Sequence, residues 1–231
     1  MSVKVPIIDI SGPIREGMWY YGEPHVDMPV PPVRVTEVEF PPKYAGKVFT
    51  QVVEMCVQTG SYLETASHAI KGREDIDEVP LERSWMVPTV VIHVPKGPGE
   101  KVTLAEAQAD LVSQKVTIEK GDAVLVHTGW DSAYDDPARY LTEMPYLSRE
   151  LMDWIMDQEP GIIGCDTPRA DSPKAPQGFF ERFFSTDILL LGCVTNLDAV
   201  PRGGPKPKLC ALPLQIDGAC ASPVRVILVT A

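Results

Sequence analysis

The chain has 231 residues, 44% hydrophobic and 23% charged, enough for a sizeable core and ordinary for a globular protein. Its net charge of −11 argues against a nucleic-acid partner, because phosphate binding needs a basic surface, and no apolar run approaches the ~20 residues that span a membrane. The five cysteines are odd in number and lack a C-x-x-C pair, which indicates buried thiols rather than a disulfide framework or zinc ribbon. The first residues lead directly into a strand-like run without a signal-peptide layout, so a cytoplasmic location is the default expectation.

In chain order, Val5–Ile10 reads as a first strand, and residues 17–24 form an aromatic loop containing Trp19, Tyr20 and Tyr21. Residues 49–57 alternate as a strand, and 87–94 form a β-branched run that ends in the turn cluster 95–99. Thr103 caps a helix reaching about Val112, with Glu106 as its capping-box partner. Residues 123–128 form a buried strand, and Ser148 caps a helix through Gln158. Further strands are expected at 161–165, 188–191, 209–215 and 224–229, a short helix at 179–184, and a flexible surface loop at 202–208. Strands outnumber helices and mix with them, so the expected class is α/β with a mixed, largely antiparallel sheet in a single unit over 1–231.

The most informative stretch is Gln58-Thr59-Gly60-Ser61-Tyr62-Leu63-Glu64-Thr65-Ala66-Ser67-His68. It resembles H-x-G-T-H-x-D-x-P-x-H, the metal-binding signature of the cyclase family that includes bacterial kynurenine formamidase and isatin hydrolase. Gly60 and His68 match, and Glu64 stands where the family has Asp. Gln58 and Tyr62 stand where it has metal-binding His. Later segments support the resemblance in order: the Thr128-Gly129-Trp130 strand end, the Asp166 to Asp171 turn, Asn196-Leu197-Asp198, Ala211-Leu212-Pro213-Leu214, and Ser222-Pro223-Val224-Arg225. The resemblance implies a swivelling β/β/α domain and assembly as a homodimer or homotetramer.

It also implies a metal site completed by a His and a Glu from the second half of the chain, but the four His are at 25, 68, 93 and 127. Counting from Asn196 puts Gly192 in place of the Glu, and Phe180 falls where the His is lost. Gln58, Tyr62 and Glu64 are a poor zinc set, so no metal or cofactor is expected, although a weak site for a hard divalent ion stays open. If Tyr62–His68 begins a helix, Glu64 and His68 share a face; the carboxylate would raise the imidazole pKa, and the two would form an acid–base pair. Tyr62 and Gln58 would then stabilise an oxyanion.

Trp19, Tyr20, Tyr21, Phe180 and His25 are the candidates for lining a pocket around a small carbonyl-containing, planar substrate. Phe179, Phe180, Phe183 and Phe184 otherwise read as core or interface, His93 and His127 as buried and satisfied, and Asp166 and Asp171 as turn residues. Three readings stay open: metal-independent acid–base catalysis, a non-catalytic binder of a small molecule or partner, and a hydrolase whose Glu64, His68 and Gln58 or His25 rearrange around one ion.

Overall fold

The computed structural model describes residues 6–22, 24–44 and 46–230, so Val5 of the first expected strand and Glu23 of the aromatic loop lie outside the described residues. In chain order the elements are β1 (Ile7–Asp9), β2 (Arg34–Glu37), β3 (Gln51–Glu54), β4 (Tyr62–Glu64), β5 (Trp85–His93), β6 (Lys101–Val102), α1 (Leu104–Gln114), β7 (Ala123–His127), α2 (Pro137–Thr142), β8 (Tyr146–Leu147), α3 (Arg149–Asp157), β9 (Ile162–Cys165), α4 (Phe180–Phe184), β10 (Leu189–Gly192), β11 (Lys208–Cys210), β12 (Ala221–Pro223) and β13 (Ile227–Val229). Among the described residues no helix is long and apolar enough to cross a membrane.

The fold is mixed α/β, built on a nine-stranded sheet in the order β1-β13-β11-β5-β7-β9-β10-β4-β12. Its centre, β5-β7-β9-β10, is parallel, and the pairings on either side are antiparallel. Parallel strands need both faces covered, and β7 and β9 are buried throughout. On one face Val90, Ile92, Val124, Val126 and Ile163 pack against Ala107 and Leu111 of α1 and Leu151, Ile155 and Met156 of α3. On the other, Val91, Leu125, Ile162 and Leu191 meet Leu63, Leu209 and Leu228, because the sheet curls over its own face. The curl is pinned where the Ile10 N–H donates to Val226 O and the Thr195 N–H donates to Ile10 O, both near 3 Å.

The helix starts follow the local chemistry. Thr103 and Glu106 form the reciprocal capping box, and Ser148 accepts from the Leu151 N–H. The expected strand at 49–57 shortens to β3, which leaves the main sheet and pairs only with β2. The expected strand at 209–215 shortens to β11, and the one at 224–229 to β13. The 202–208 loop is tied down rather than loose: Arg202 pairs with Asp110, and Lys206 with Glu119 and Asp122. The helix considered over Tyr62–His68 is instead a strand followed by a 3-10 turn, Ala66–His68. Hydrogen bonding on both edges of β4, to β10 and β12, leaves its backbone no freedom to coil.

Candidate active site

Because side chains alternate along a strand, Tyr62 and Glu64 share one face of β4, while Leu63 points into the core on the other. That face, with Leu190 and Gly192 of β10, forms the floor of a cavity of about 610 Å³, within the usual range for small-molecule sites. Gln58 and Tyr21 stand at its sides. Phe180 and Phe184 stack at 5.6 Å and 18° on one wall, and the His68 ring lies 5.7 Å from that of Phe184. Gly60 turns the chain into the motif with φ +66, where a Cβ would lie 2.6 Å from Ile14 Cγ1, so only glycine fits without strain.

Gln58 lies between the two titratable groups of the motif, Glu64 and His68. Its amide Nε2 donates to Glu64 Oε2 and lies 3.5 Å from His68 Nδ1. An amide nitrogen only donates, so His68 Nδ1 accepts and the neutral ring carries its proton on Nε2. Thr65 helps hold His68 in place by capping the 3-10 turn through the Ser67 N–H. Glu64 is 2% exposed; burial pushes its carboxyl from 4.5 up to about 7, partly opposed by the Gln58 bond. Partial burial lowers the His68 pKa, the opposite of the rise expected from a helical Glu64–His68 pair. The two groups meet through Gln58, and desolvation sets the direction of the His68 shift.

Tyr62 is 4% exposed. Burial, reinforced by Cys193, holds its phenol well above its ordinary pKa, so it stays protonated. Tyr21 donates to Pro168 O; in the 3.3 Å Tyr21–Tyr62 contact the Tyr62 hydroxyl is therefore the donor. Tyr62 sits over Gly192, its partner in the β4–β10 register, and a Cβ at Gly192 would lie 2.6 Å from the Tyr62 ring. The two departures from the family motif are thus sterically linked.

The structure brings Gln58, Tyr62, Glu64, His68, Tyr21 and Phe180 to one cavity, but Trp19, Tyr20 and His25 do not line it. Trp19 is 1% exposed and packs against Tyr21, Tyr134 and Tyr140 behind the wall. Tyr20 is half-buried in its loop, and His25 sits in the turn where its N–H reaches Gly22 O. Phe179 and Phe183 are core, while Phe180 and Phe184 face the cavity. Sequence reasoning passed over Arg169, Met28 and Ile70 on the wall; a basic residue inside the Asp166–Asp171 turn was the available signal for Arg169. Asp171 serves its turn as expected, accepting from Ser172, Gln177 and Gly178, whereas Asp166 accepts from the distant segment Thr128, Gly129 and Trp130 and so joins two loops rather than closing its own turn. His93 and His127 are buried, their Nδ1 atoms 3.1 Å apart, but His93 Nε2 has no hydrogen-bond partner among the described residues.

The positions matching the family's metal ligands do converge here, yet they supply one amide, one protonated phenol, one carboxyl of raised pKa, a phenyl ring and a glycine. A dinuclear metal centre needs deprotonated oxygen or imidazole donors, and this set does not fit one. Elsewhere among the described residues His127, Asp131 and Asp166 offer ligand atoms within 4.8 Å of one another. They lie outside the cavity lining, and Asp166 already accepts several protein hydrogen bonds.

Fold and site together define a cavity lined by titratable and aromatic side chains on a curled mixed sheet. The chain belongs to the cyclase family: the family model described as "Putative cyclase" matches residues 8–172. It is similar in fold to an isatin hydrolase bound to the product analogue thioisatinate, with 19% identity, TM-score 0.84 and coverage of 98% of this chain and 93% of that one. Isatin hydrolase A from Ralstonia solanacearum matches with 21% identity, TM-score 0.84 and coverage of 98% and 92%. A predicted metal-dependent hydrolase from Bacillus stearothermophilus matches with 20% identity, TM-score 0.72 and coverage of 98% and 98%. No curated protein matches the chain.

Proposed function

We propose that the protein is a hydrolase-type enzyme of the cyclase family that opens or closes a small planar ring at a carbonyl by acid–base chemistry, without a metal in this cavity. The observation that carries the reading is Glu64, a buried carboxyl titrating at about 7 on the cavity floor, the value that best serves proton transfer near neutrality. In the hydrolytic direction, ionised Glu64 takes a proton from water as the water oxygen bonds to the carbonyl carbon. The carbonyl π pair moves onto oxygen, where Tyr62 O–H and His68 Nε2–H donate to it. Collapse re-forms the carbonyl, breaks the ring C–O or C–N bond, and passes the Glu64 proton to the leaving atom. To serve the oxyanion, Tyr62 gives up only its long bond to Tyr21. The same proton path would serve an elimination or isomerisation. Without a Lewis acid, activated bonds are better substrates than plain amides.

The test is a panel of planar lactones, imides and isatin-like lactams, assayed with EDTA-treated protein. Glu64→Gln is expected to lower kcat by roughly 10²–10⁴-fold, and the wild-type rate should follow an ionisation near 7. Full turnover by both Glu64→Gln and His68→Ala, or activity only after Zn²⁺ or Mn²⁺ is added back, would overturn the reading.

A further inference from the structure

We propose that the cavity takes a planar substrate bearing a carboxylate, and that Arg169 is the residue that binds it. This rests on reading the cavity as the substrate site. The chain is strongly acidic, and nine of its ten arginines are neutralised by carboxylates: Arg15, Arg34, Arg73, Arg83, Arg139, Arg149, Arg182, Arg202 and Arg225 all form ion pairs. The exception among the described residues is Arg169, on the cavity wall. Its guanidinium lies over the Tyr21 ring, 5.6 Å from the centroid, and no carboxylate among the described residues pairs with it.

A half-buried cation that meets a ring but no described carboxylate is unusual in a protein with acidic groups to spare. It is also held there. The Arg169 carbonyl accepts from Thr167 Oγ1 at 2.8 Å, and its turn is anchored at both ends by the bonds to Asp166 and Asp171. The planar guanidinium fork matches a carboxylate in two-point geometry. The stacked Phe180 and Phe184 rings offer a flat apolar surface on the same cavity, as a planar acid requires. Glu181, the remaining carboxylate of the lining, is exposed and makes no ion pair with Arg169 among the described residues.

The experiment is titration calorimetry of the full chain with benzoate and with benzamide, probes of the same ring and nearly the same shape that differ in charge. Benzoate is expected to bind at least about tenfold more tightly, the equivalent of 1.4 kcal/mol. Arg169→Gln should erase that preference, and Arg169→Lys should keep part of it. Thermal unfolding of the variants verifies that they fold. Equal binding of the two probes by wild type, no saturable benzoate binding, or an undiminished preference in folded Arg169→Gln would each overturn the proposal. Because the measurement needs no turnover, it fails or succeeds independently of Glu64→Gln kinetics.

Discussion

At the scale of single residues, burial rather than pairing sets the chemistry. Glu64 carries a carboxyl whose folded pKa, about 7, lies above its ordinary 4.5, so the folded protein holds this proton more tightly than the unfolded chain. The cost of ionising Glu64 is therefore absent below about 4.5, grows as the pH rises through that window, and is complete above about 7. It amounts to about 3 kcal/mol. Urea unfolding should find Glu64→Gln more stable than wild type at pH 8 by on the order of 2–3 kcal/mol, with the gap closing toward pH 4.5. The variant minus wild-type difference is the quantity to read. Buried His93, lowered from 6.5 to about 4, works in the opposite sense, losing stability as the pH falls from about 6.5 to 4. An equal gap at both pH values would remove the buried-acid account of Glu64.

At the scale of elements, the β4–β10 pairing decides what the site can be. Tyr62 and Gly192 face each other in register, and the phenol occupies the space a side chain at 192 would need. Gly192→Ala should cost about 1–3 kcal/mol by overpacking, and a smaller residue at 62 should relieve it. A double-mutant cycle with Tyr62→Ala, read by denaturant unfolding, is expected to show coupling of at least about 1 kcal/mol; strict additivity would mean that the two positions are independent. The motif departures were legible in the sequence at 58, 62 and 64, because aligned residue types are visible in a single chain. The consequence was not. A phenol in place of an imidazole reads as a loss of metal ligands, and only the register shows that Gly192 makes room for its ring. The reading of Tyr62–His68 as a helix was displaced for a related reason: hydrogen bonds from residues 190–192 and 221–223 override local spacing.

At the scale of the whole molecule, β2 and β3 form a ribbon separate from the main sheet. Val35, Val52 and Val53 are exposed on it, and Phe49 beside it is 73% exposed. A lone two-stranded ribbon is marginal in water, and on one of its faces Val35 and Val53 pair directly as exposed apolar side chains, which a partner surface would cover. Self-association as a homodimer or homotetramer is the expected use. Light scattering at micromolar concentration should give two or four times the 25.4 kDa chain mass, and Phe49→Glu should reduce it; a monomeric wild type would refute the expectation.

Composition, caps and strand runs in the sequence determined the α/β class, the starts of α1 and α3, the turn role of Asp171, and the motif that carries Gln58, Tyr62, Glu64 and His68. These are local properties, set by side-chain period and by hydrogen bonds between near neighbours. Tertiary structure alone decided that Trp19 is core while Tyr21 is wall, that Glu64 titrates near neutrality, and that Arg169 pairs with no carboxylate among the described residues. Burial and charge pairing depend on which distant segments meet, and the curling of the sheet settles that after the local choices have been made.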